Sequence, residues 1–288
     1  MKVGFVNIFG RPNAGKSTLL NALMGEKLAI VSRKVQTTRH RIKGILTTEH
    51  YQIIFSDTPG IIDPEYRLHE KMMLAVRDSL EDADLALLLV DAQDDPQTNH
   101  ELFLGLGLKA PALLVINKID RVSNEKRQAI HDFFNGKPYA KEVVDISALK
   151  NSRIEVLLER IIHYLPEGAP FFEEDELTDR PVRFFVAEII REKIFELYEE
   201  EIPYHSTVLV QEFKEKTTLT KIRADIIVHR ESQKGIILGE GGKMIKKLGT
   251  EARKEIELFL AQKVFLELFV KVRPKWRDSD LFLKEYGY

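Results

Sequence analysis

The chain lacks cysteine entirely, has one tryptophan and has no long apolar run in its 288 residues. Without cysteine it can form neither a disulfide framework nor a thiolate metal site. The longest purely apolar runs, such as LALLLV at 85–90, are far shorter than the ~20 residues that span a bilayer. The first residues also lack a signal-peptide layout. These absences favour a soluble protein of a reducing cytoplasm.

A strong excess of either charge is also missing, since the net charge is only −2. The charge is unevenly divided, at −4 for residues 1–180 and +2 for residues 181–288. The mildly basic second part is weak evidence for an anionic partner there. With 44% hydrophobic residues and this length, we expect about two domains, each with a packed core.

Apolar runs alternate with helical patterns through the first part of the chain. The runs predict strands at 3–9, 42–48, 50–56, 85–92, 112–118 and 142–148. Between them, helices are predicted near 16–23, 68–82, 97–107, 124–134 and 151–164. The second and third strands are close enough to form a hairpin. This order predicts an α/β domain with a mostly parallel sheet and helices on both faces.

The alternating pattern stops at Leu165-Pro166. Residues 166–180, with two prolines and an acidic excess, are predicted to link a domain of residues 1–165 to one of residues 181–288. After the linker the order changes to α-β-β-α-α-β, which we interpret as an α+β domain. We expect its sheet to be antiparallel, with the helices on one side.

The stretch GRPNAGKS at 10–17 lies where the first strand becomes a helix. Gly10 and Gly15 let backbone N–H groups point inward, and the start of the helix adds positive charge for an anion. Lys16 can reach β- and γ-phosphates, and the Ser17 hydroxyl can bind Mg²⁺. The alternative is a glycine-rich turn with a solvated lysine. The strand-to-helix context favours the phosphate loop.

The tetrapeptide DTPG at 57–60 ends another strand. Asp57 can hold Mg²⁺, and the Gly60 N–H can meet a γ-phosphate. By itself, DTPG is also an ordinary turn sequence.

NKID at 117–120 and SAL at 147–149 end two further strands. Asp120 can accept hydrogen bonds from the ring N–H and the exocyclic amine of guanine, a pattern that adenine does not offer. Asn117 and the stem of Lys118 would fix the loop and cover the ring. Backbone N–H groups of Ser147, Ala148 and Leu149 could meet the guanine O6, a weak signal alone. All these motifs follow strands, where open α/β sheets bind ligands.

GRPNAGKS, QTTRH, DTPG, NKID and ISA resemble the five motifs of translation-factor-like small GTPases, and QTTRHR with GRPN is similar to the Era family of bacterial ribosome-associated GTPases. The resemblance implies a P-loop GTPase that binds GTP or GDP with Mg²⁺ held by Ser17, Thr38 and Asp57. Thr37 is the adjacent candidate for the role of Thr38. The implied catalytic residues are Lys16, Thr38 and Gly60. The implied nucleotide site further includes Arg11, Pro12, Asn13, Ala14, Thr18, Thr58, Pro59, Ile61 and Ile119.

Ile61 stands where a water-orienting glutamine would be expected. An isoleucine side chain cannot hydrogen-bond water, so we expect slow intrinsic hydrolysis that a partner stimulates. The resemblance offers a K⁺ ion near the phosphates, held with the help of Asn13, as a substitute for an arginine finger. The alternative is that Asn13 only supports the turn.

In the second domain, Gly239, Glu240, Gly241 and Gly242 form a G-x-x-G loop between apolar helix segments. This resembles the KH module, whose loop approaches a sugar-phosphate backbone while a groove binds about four nucleotides. Together with the element order, it predicts a type II KH domain. Lys243, Lys246 and Lys247 follow the loop and can contact phosphates. The alternative is a glycine turn between two helices with a solvated lysine face.

The segment KVRPKWR at 271–277 combines four cations, Lys271, Arg273, Lys275 and Arg277, with Trp276. Cations for phosphates and a ring for a base suit contact with RNA. Equally, Trp276 could pack the last helix onto the sheet.

The resemblance to the Era family covers nearly the whole chain. It implies binding to the 3′ end of 16S rRNA, a role in assembly of the small (30S) ribosomal subunit and cytoplasmic location as a monomer, with peripheral membrane contact left open. The two domains suggest a switch in which GTP orders residues 32–40 and 57–65 and changes RNA affinity. The alternative function is an RNA-binding module that retains nucleotide only as a structural ligand.

Overall fold

The computed structural model describes residues 1–32 and 34–288, which form two compact units. The first unit comprises residues 1–64 and 69–179, and the second comprises residues 65–68 and 180–288. Residue 33, which falls in the predicted switch loop, lies outside the described residues.

The first unit is built on a six-stranded sheet in the order β2-β3-β1-β4-β5-β6. Its strands are β1 (Lys2–Gly10), β2 (Ile42–Thr47), β3 (Tyr51–Asp57), β4 (Leu85–Asp91), β5 (Ala112–Asn117) and β6 (Glu142–Asp145). Strand β2 is antiparallel to β3, as the hairpin prediction requires, and the other neighbours are parallel. The predicted mostly parallel α/β fold is thus confirmed.

Helices connect most of the successive strands of this sheet, and one helix follows its last strand. They are α1 (Lys16–Met24), α2 (Arg67–Glu81), α3 (Pro96–Gly105), α4 (Asn124–Phe134) and α5 (Ile154–Tyr164). Every residue of β4 and β5 is buried, so these central strands are covered on both faces, which explains their unbroken apolar sequence. Side chains cap two helices, because Asp95 accepts from the Thr98 N–H and Ser123 accepts from the Lys126 N–H.

The parallel strands end in polar residues at one edge of the sheet. The register pairs Ile8 of β1 with Asp57 of β3, and Asp91 of β4 with Asn117 of β5. Gly10, the last residue of β1, starts the phosphate loop at this edge. The fold therefore brings the predicted motifs together at the carboxyl ends of the strands.

The segment predicted as a linker lies mostly against the first unit. The Pro166 carbonyl oxygen accepts from the Val3 N–H at 3.0 Å, and the Leu177 carbonyl oxygen accepts from the Ile45 N–H at 2.9 Å. The Phe171 N–H donates to the side chain of Gln52 at 2.7 Å. Because these bonds use the backbone of the segment, residues 166–179 belong to the first compact unit instead of forming a separate tether.

The second unit contains a three-stranded sheet in the order β7-β8-β9. Its elements are α6 (Val182–Leu197), α7 (Ile202–His205), β7 (Thr207–Glu215), β8 (Thr220–Val228), α8 (Glu231–Leu238), α9 (Lys243–Leu260), β9 (Val264–Val272) and α10 (Asp280–Glu285). The expectation of an antiparallel sheet is wrong in part, because β8 and β9 are parallel. The helix pair α8–α9 carries the chain back before β9 begins, so β9 runs in the direction of β8.

The core of the second unit lies between one face of this sheet and helices α6, α8 and α9. Ile190 and Ile194 of α6 and Leu248 of α9 are buried in one cluster with Ile222 and Ile226 of β8. Within the described parts of the chain, 1–32 and 34–288, no helix is long and apolar enough to cross a membrane.

Candidate functional site

A pocket of about 590 Å³ opens at the carboxyl edge of the sheet in the first unit. It contains many of the residues that the motifs single out. Its lining residues are Pro12, Asn13, Gly15, Lys16, Ser17, Thr18, Ile30, Val31, Ser32, Gln36, Thr37, Thr38, Gly60, Asp91, Asn117, Lys118, Asp120, Arg121 and Leu149. The motif residues outside this lining, such as Gly10, Arg11 and Ala14, support it through their backbone atoms.

The phosphate loop takes its shape from close backbone approaches. Gly15 has a φ of +100°, and a Cβ there would lie 2.4 Å from the Asn117 Nδ2 atom. The Ala14 N–H donates to the Arg11 carbonyl oxygen at 3.3 Å, which closes the turn. Helix α1 then begins at Lys16, and among the described residues no side chain caps it. Its first N–H groups are therefore directed toward the pocket, where an anion can accept from them.

Lys16 is 6% exposed and donates to carbonyl oxygens of the loop itself. Its Nζ lies 3.1 Å from the Gly10 oxygen and 2.9 Å from the Arg11 oxygen. Burial lowers the pKa of the Lys16 ammonium to about 8, and the nearby Asp57 charge opposes this shift. A bound polyphosphate would add negative charge beside this ammonium and so favour its protonated form further than Asp57 does.

Ser17, Thr38 and Asp57 converge at the inner end of the pocket. The Ser17 hydroxyl donates to Asp57 Oδ2 at 2.6 Å and lies 2.8 Å from the Thr38 hydroxyl. Thr38 donates to the same carboxylate oxygen at 3.2 Å. The Thr37 hydroxyl donates instead to the Lys34 carbonyl oxygen at 2.8 Å. Of the two neighbouring threonines, the structure therefore places Thr38 beside Asp57.

These three residues fit a magnesium ion. Asp57 Oδ1 is buried and, within residues 1–32 and 34–288, has no hydrogen-bond partner. Burial raises the pKa of the Asp57 carboxyl, against hydrogen bonds from Ser17 and Thr38 and the charge of Lys16. A buried carboxylate oxygen without a partner is costly, and Mg²⁺ takes carboxylate and hydroxyl oxygens as ligands. The donor set thus satisfies the requirement of the predicted metal site.

The DTPG segment supports the phosphate loop from the opposite side. Thr58 is buried, and its hydroxyl donates to the Ile8 carbonyl oxygen at 2.7 Å, which attaches the DTPG segment to β1. A Cβ at Gly60 would lie 2.8–2.9 Å from atoms of Pro12, which explains why glycine is required there. The Ile61 N–H donates to the Gly10 oxygen at 3.3 Å. Pro59 is also buried.

Asn117 joins the phosphate loop to the predicted base loop. Its Nδ2 donates to the Ala14 carbonyl oxygen at 2.9 Å, and its Oδ1 accepts from the Ala148 N–H at 3.0 Å. Lys118 donates to the Asn13 carbonyl oxygen and to Asp91, both at 2.6 Å. Its φ of +64° places it at the start of a 3₁₀ turn through Ile119. These contacts hold the NKID loop against the GRPNAGKS loop.

Asp120 is exposed at the mouth of the pocket, where its Oδ1 accepts from the Ser147 hydroxyl at 2.5 Å. The backbone N–H of Ser147 donates to the Ser152 carbonyl oxygen at 3.1 Å, and the backbone N–H of Ala148 donates to Asn117 Oδ1. Contact of these N–H groups with the guanine O6 stays a prediction, and it requires the two groups to exchange or share these bonds when a base is bound. Of the SAL residues, Leu149 lines the pocket and is 64% exposed.

Sequence reasoning missed several residues of the pocket. Asp91 ends β4 at the same edge and holds Lys118, so the rule that strand ends carry the site could have identified it. Gln36 lines the pocket from the loop before Thr38, although only the threonines of QTTRH were singled out. Arg11 extends away toward Asp94, at 3.8 Å.

In the second unit, the G-x-x-G loop joins α8 to α9 as predicted. Gly239, Gly241 and Gly242 have φ values of +68°, +58° and +76°, which favour glycine. A Cβ at Gly239 would lie 2.6 Å from the Met244 side chain. Glu240 and Lys243 are strongly exposed, with 3.9 Å between their charged groups. The loop therefore presents its backbone to solvent at the start of α9.

A groove of about 300 Å³ lies between α9 and β9 of this unit. Its lining residues are Ile245, Lys246, Gly249, Thr250, Arg253, Leu266 and Leu268. A Cβ at Gly249 would be 3.6 Å from Leu268 Cδ1, so a larger side chain there would fill the groove. An apolar floor with a lysine and an arginine along its rim suits bases and phosphates. Of these lining residues, only Lys246 is among the RNA contacts predicted from the sequence, and Lys247 is exposed outside the groove.

The tail corrects part of the predicted RNA contact set. Trp276 is fully buried, with its ring 5.9 Å from that of Tyr286, and its Nε1 donates to the His205 carbonyl oxygen at 3.0 Å. The prediction that Trp276 stacks a base is wrong, and the alternative, packing of the last helix, is correct. A large apolar ring gains more from burial than from solvent exposure beside cations.

Two cationic side chains of the tail, Lys271 and Arg277, are also held by contacts within the fold. Lys271 lies 2.6 Å from the buried Asp225 carboxylate. Arg277 packs over the Tyr66 ring at 4.2 Å, within the second unit. The backbone N–H of Lys275 donates to the His229 ring at 2.8 Å, but the residue itself is exposed, as is Arg273. Arg273 and Lys275 therefore remain the accessible part of the predicted set.

Comparison with known proteins agrees with both units. Residues 5–118 match the family described as 50S ribosome-binding GTPase, and residues 201–277 match the KH domain family. The chain is 44% identical to GTPase Era of Ruminiclostridium cellulolyticum over 290 aligned positions, covering 100% of this chain and 97% of that protein.

Two solved structures are similar over the full length. One is Era in complex with MgGDPNP and nucleotides 1506–1542 of 16S ribosomal RNA. The other is a single-residue variant of Aquifex aeolicus Era bound to GDP.AlF4⁻. Each has a TM-score of 0.95 and 42% sequence identity, and each match covers 100% of this chain and 99% of the solved chain.

Proposed function

Because the chain belongs to the Era family of GTPases, we propose that it is a GTP-hydrolysing switch that binds 16S rRNA near its 3′ end during assembly of the small ribosomal subunit. The observation that carries the proposal is the convergence of Ser17, Thr38 and Asp57 in one pocket with Asp120 at its mouth. Such a pocket can hold a magnesium-bound triphosphate at one end and a guanine base at the other.

In the mechanism, each end of the pocket has its own task. Asp120 accepts from the two guanine donors, while Asn117 and Lys118 keep the base loop against the phosphate loop. Lys16 exchanges its bonds to the Gly10 and Arg11 oxygens for the β- and γ-phosphates. Ser17, Thr38 and Asp57 would hold Mg²⁺, whose positive charge would stabilise the negative charge of the phosphate oxygens. The Gly60 N–H is the chain's donor to the γ-phosphate.

Hydrolysis transfers the γ-phosphoryl group of GTP to a water molecule, with GDP as the leaving group, and the protein contributes mainly position and charge. Ile61 offers the attacking water no hydrogen bond. We therefore propose a slow intrinsic rate. Its measurement is phosphate release under single-turnover conditions, with and without an RNA that contains the 3′ end of 16S rRNA.

We also propose that K⁺ assists this reaction through Asn13. The residue lines the pocket, and its φ of +64° gives the phosphate loop a left-handed backbone conformation at this position. The experiment compares hydrolysis in K⁺ and Na⁺ for the wild type and Asn13→Ala. A wild-type rate that is the same in both salts would remove K⁺ from the mechanism.

The RNA site that we propose is the groove between α9 and β9 with the adjoining G-x-x-G loop. It supports an RNA ligand because Leu266 and Leu268 offer apolar surface beside Lys246 and Arg253. The test is crosslinking of the protein to small-subunit rRNA in the GTP-bound state, followed by sequencing of the attached fragments. Fragments from outside the 3′ end of 16S rRNA would contradict the assignment.

Binding to 16S rRNA also suggests where the protein acts and in which oligomeric state. We propose the 30S subunit as the assembly that receives the protein, the cytoplasm as its compartment and a monomer as its working form. Co-sedimentation with small-subunit precursors and equilibrium sedimentation of the free protein test them. Peripheral membrane contact, which the resemblance left open, is not part of the proposal.

A further inference from the structure

A hydrogen bond connects the loop that carries Thr38 to helix α2. His69, in the first turn of α2, is 2% exposed, and its Nε2 lies 3.1 Å from Gln36 Oε1. The two residues are 33 positions apart in sequence and belong to the same compact unit.

Gln36 has an unusual backbone conformation for this contact. Its φ of +58° lies in the left-handed region, which is energetically unfavourable for a residue other than glycine. Such a conformation persists when the surroundings determine it. On the carboxyl side of Gln36, Thr37 and Thr38 form their own bonds to Lys34 and Asp57. The His69 contact therefore fixes the one residue of this run whose backbone is strained.

The position of the pair suits a role in hydrolysis. Gln36 lines the nucleotide pocket, two residues before the magnesium-site residue Thr38. His69 follows the DTPG segment, whose Gly60 packs against Pro12 of the phosphate loop. The bond thus joins the two segments that a γ-phosphate must draw together. Because the Ile61 side chain cannot orient the attacking water, we expect the rate of hydrolysis to depend strongly on the correct placement of these two segments.

We propose that Gln36 and His69 are positioning residues that couple the Thr38 loop to α2, so that both reach the γ-phosphate as one unit. Their effect is specific to the triphosphate, because GDP has no γ-phosphate for Thr38 and Gly60 to meet. The proposal rests on the GTPase function above. Loss of the pair lowers the rate of hydrolysis while guanine binding through Asp120 continues.

The experiment is a double-mutant cycle in the full chain with Gln36→Ala, His69→Ala and the double variant. Each single variant should lower the single-turnover rate of GTP hydrolysis about tenfold, and the double variant should lower it no further, since the two side chains act as one unit. The KM for GTP should change less than kcat, and GDP affinity should stay within about twofold of the wild type.

Rescue and control variants separate this role from a packing role. Gln36→Glu keeps an acceptor for the imidazole and should recover most of the lost rate. Arg77→Ala, an exposed position on the same helix, should leave rate and affinity unchanged. Thermal unfolding confirms that each variant is folded, and Gln36→Ala together with Gln36→Glu carries the test if His69→Ala does not fold.

Two results would overturn the proposal. One is a double variant whose rate falls by the product of the two single effects, which would show that the residues act independently. The other is an equal loss of GDP and GTP affinity in Gln36→Ala, which would show a general structural role. If the wild-type protein bound neither GTP nor GDP, the result would instead contradict the proposed GTPase function itself.

Discussion

The Asn117 amide group donates to the Ala14 carbonyl oxygen at 2.9 Å, and this buried bond joins the base loop to the phosphate loop. The same side chain accepts from the Ala148 N–H at 3.0 Å. One residue therefore links three motifs that are far apart in sequence. The recognition of guanine and of phosphate is consequently mechanically connected through Asn117.

We expect Asn117→Ala to weaken GTP and GDP binding together and to destabilise the first unit. The substitution leaves the Ala14 oxygen and the Ala148 N–H without their partner, at a cost of about 1–3 kcal/mol for each buried group. Calorimetric titration and thermal unfolding measure the two effects. Asn124→Ala, an exposed position at the start of α4, is the matched control. Unchanged nucleotide affinity in Asn117→Ala would refute the linking role.

The affinity for GTP should fall as the pH rises through about 8. The pKa of Lys16 is lowered to about 8 in the free protein, so its ammonium group loses its proton above that pH. Bound phosphates stabilise the charged form and raise the pKa, so binding at pH 8.5 must take up protons. Titration calorimetry in two buffers of different ionisation enthalpy measures this uptake. Equal binding enthalpies in the two buffers at pH 8.5 would contradict the prediction.

Asp120→Asn should change base preference from guanine to xanthine. Asp120 can accept two hydrogen bonds from guanine, whereas an amide can donate to the carbonyl oxygen that xanthine has in place of the guanine amine. The loss of a charge-assisted pair typically costs ~1.5–3 kcal/mol, about 10- to 100-fold in GTP affinity. Competition of GTP and XTP against a fluorescent nucleotide measures the change. An Asp120→Asn variant that keeps the wild-type preference for GTP would contradict the assignment of Asp120 to guanine recognition.

Single cationic residues on the rim of the groove between α9 and β9 should each contribute to RNA affinity. Lys246→Ala should weaken RNA binding and reduce the slope of log affinity against log salt by about one, as expected for one lost phosphate contact. Arg253→Ala should do the same. Lys284→Ala, an exposed lysine of α10, is the charge-matched control and should retain the wild-type slope. A slope that changes equally in all three variants would point to a diffuse electrostatic effect.

The sequence predicted the parts of the molecule that depend on local pattern. Buried strands ending in GRPNAGKS, DTPG and NKID must meet at one edge of a parallel sheet, so the convergence of Ser17, Asp57 and Asn117 could be inferred before any coordinates. The hairpin of β2 and β3 and the G-x-x-G turn were predicted for the same reason.

What the sequence could not determine depends on packing between distant segments. A basic segment with one tryptophan has the same composition whether the ring is exposed or, like Trp276, fully buried. The pairing of Gln36 with His69 requires the start of α2 to lie beside the loop that carries Gln36 and Thr38. No local sequence pattern predicts that arrangement. Likewise, the direction of β9 follows from the helix pair before it, not from its own residues.

The most direct measurement for the whole account is equilibrium binding of labelled GTP and ATP to the full chain, with and without Mg²⁺, for the wild type and Asp57→Ala. We predict tight GTP binding that Mg²⁺ strengthens in the wild type, little gain from Mg²⁺ in Asp57→Ala, and far weaker ATP binding throughout. Equal affinity for ATP and GTP, or GTP binding in the wild type that is indifferent to Mg²⁺, would contradict a magnesium-dependent guanine nucleotide site in this pocket.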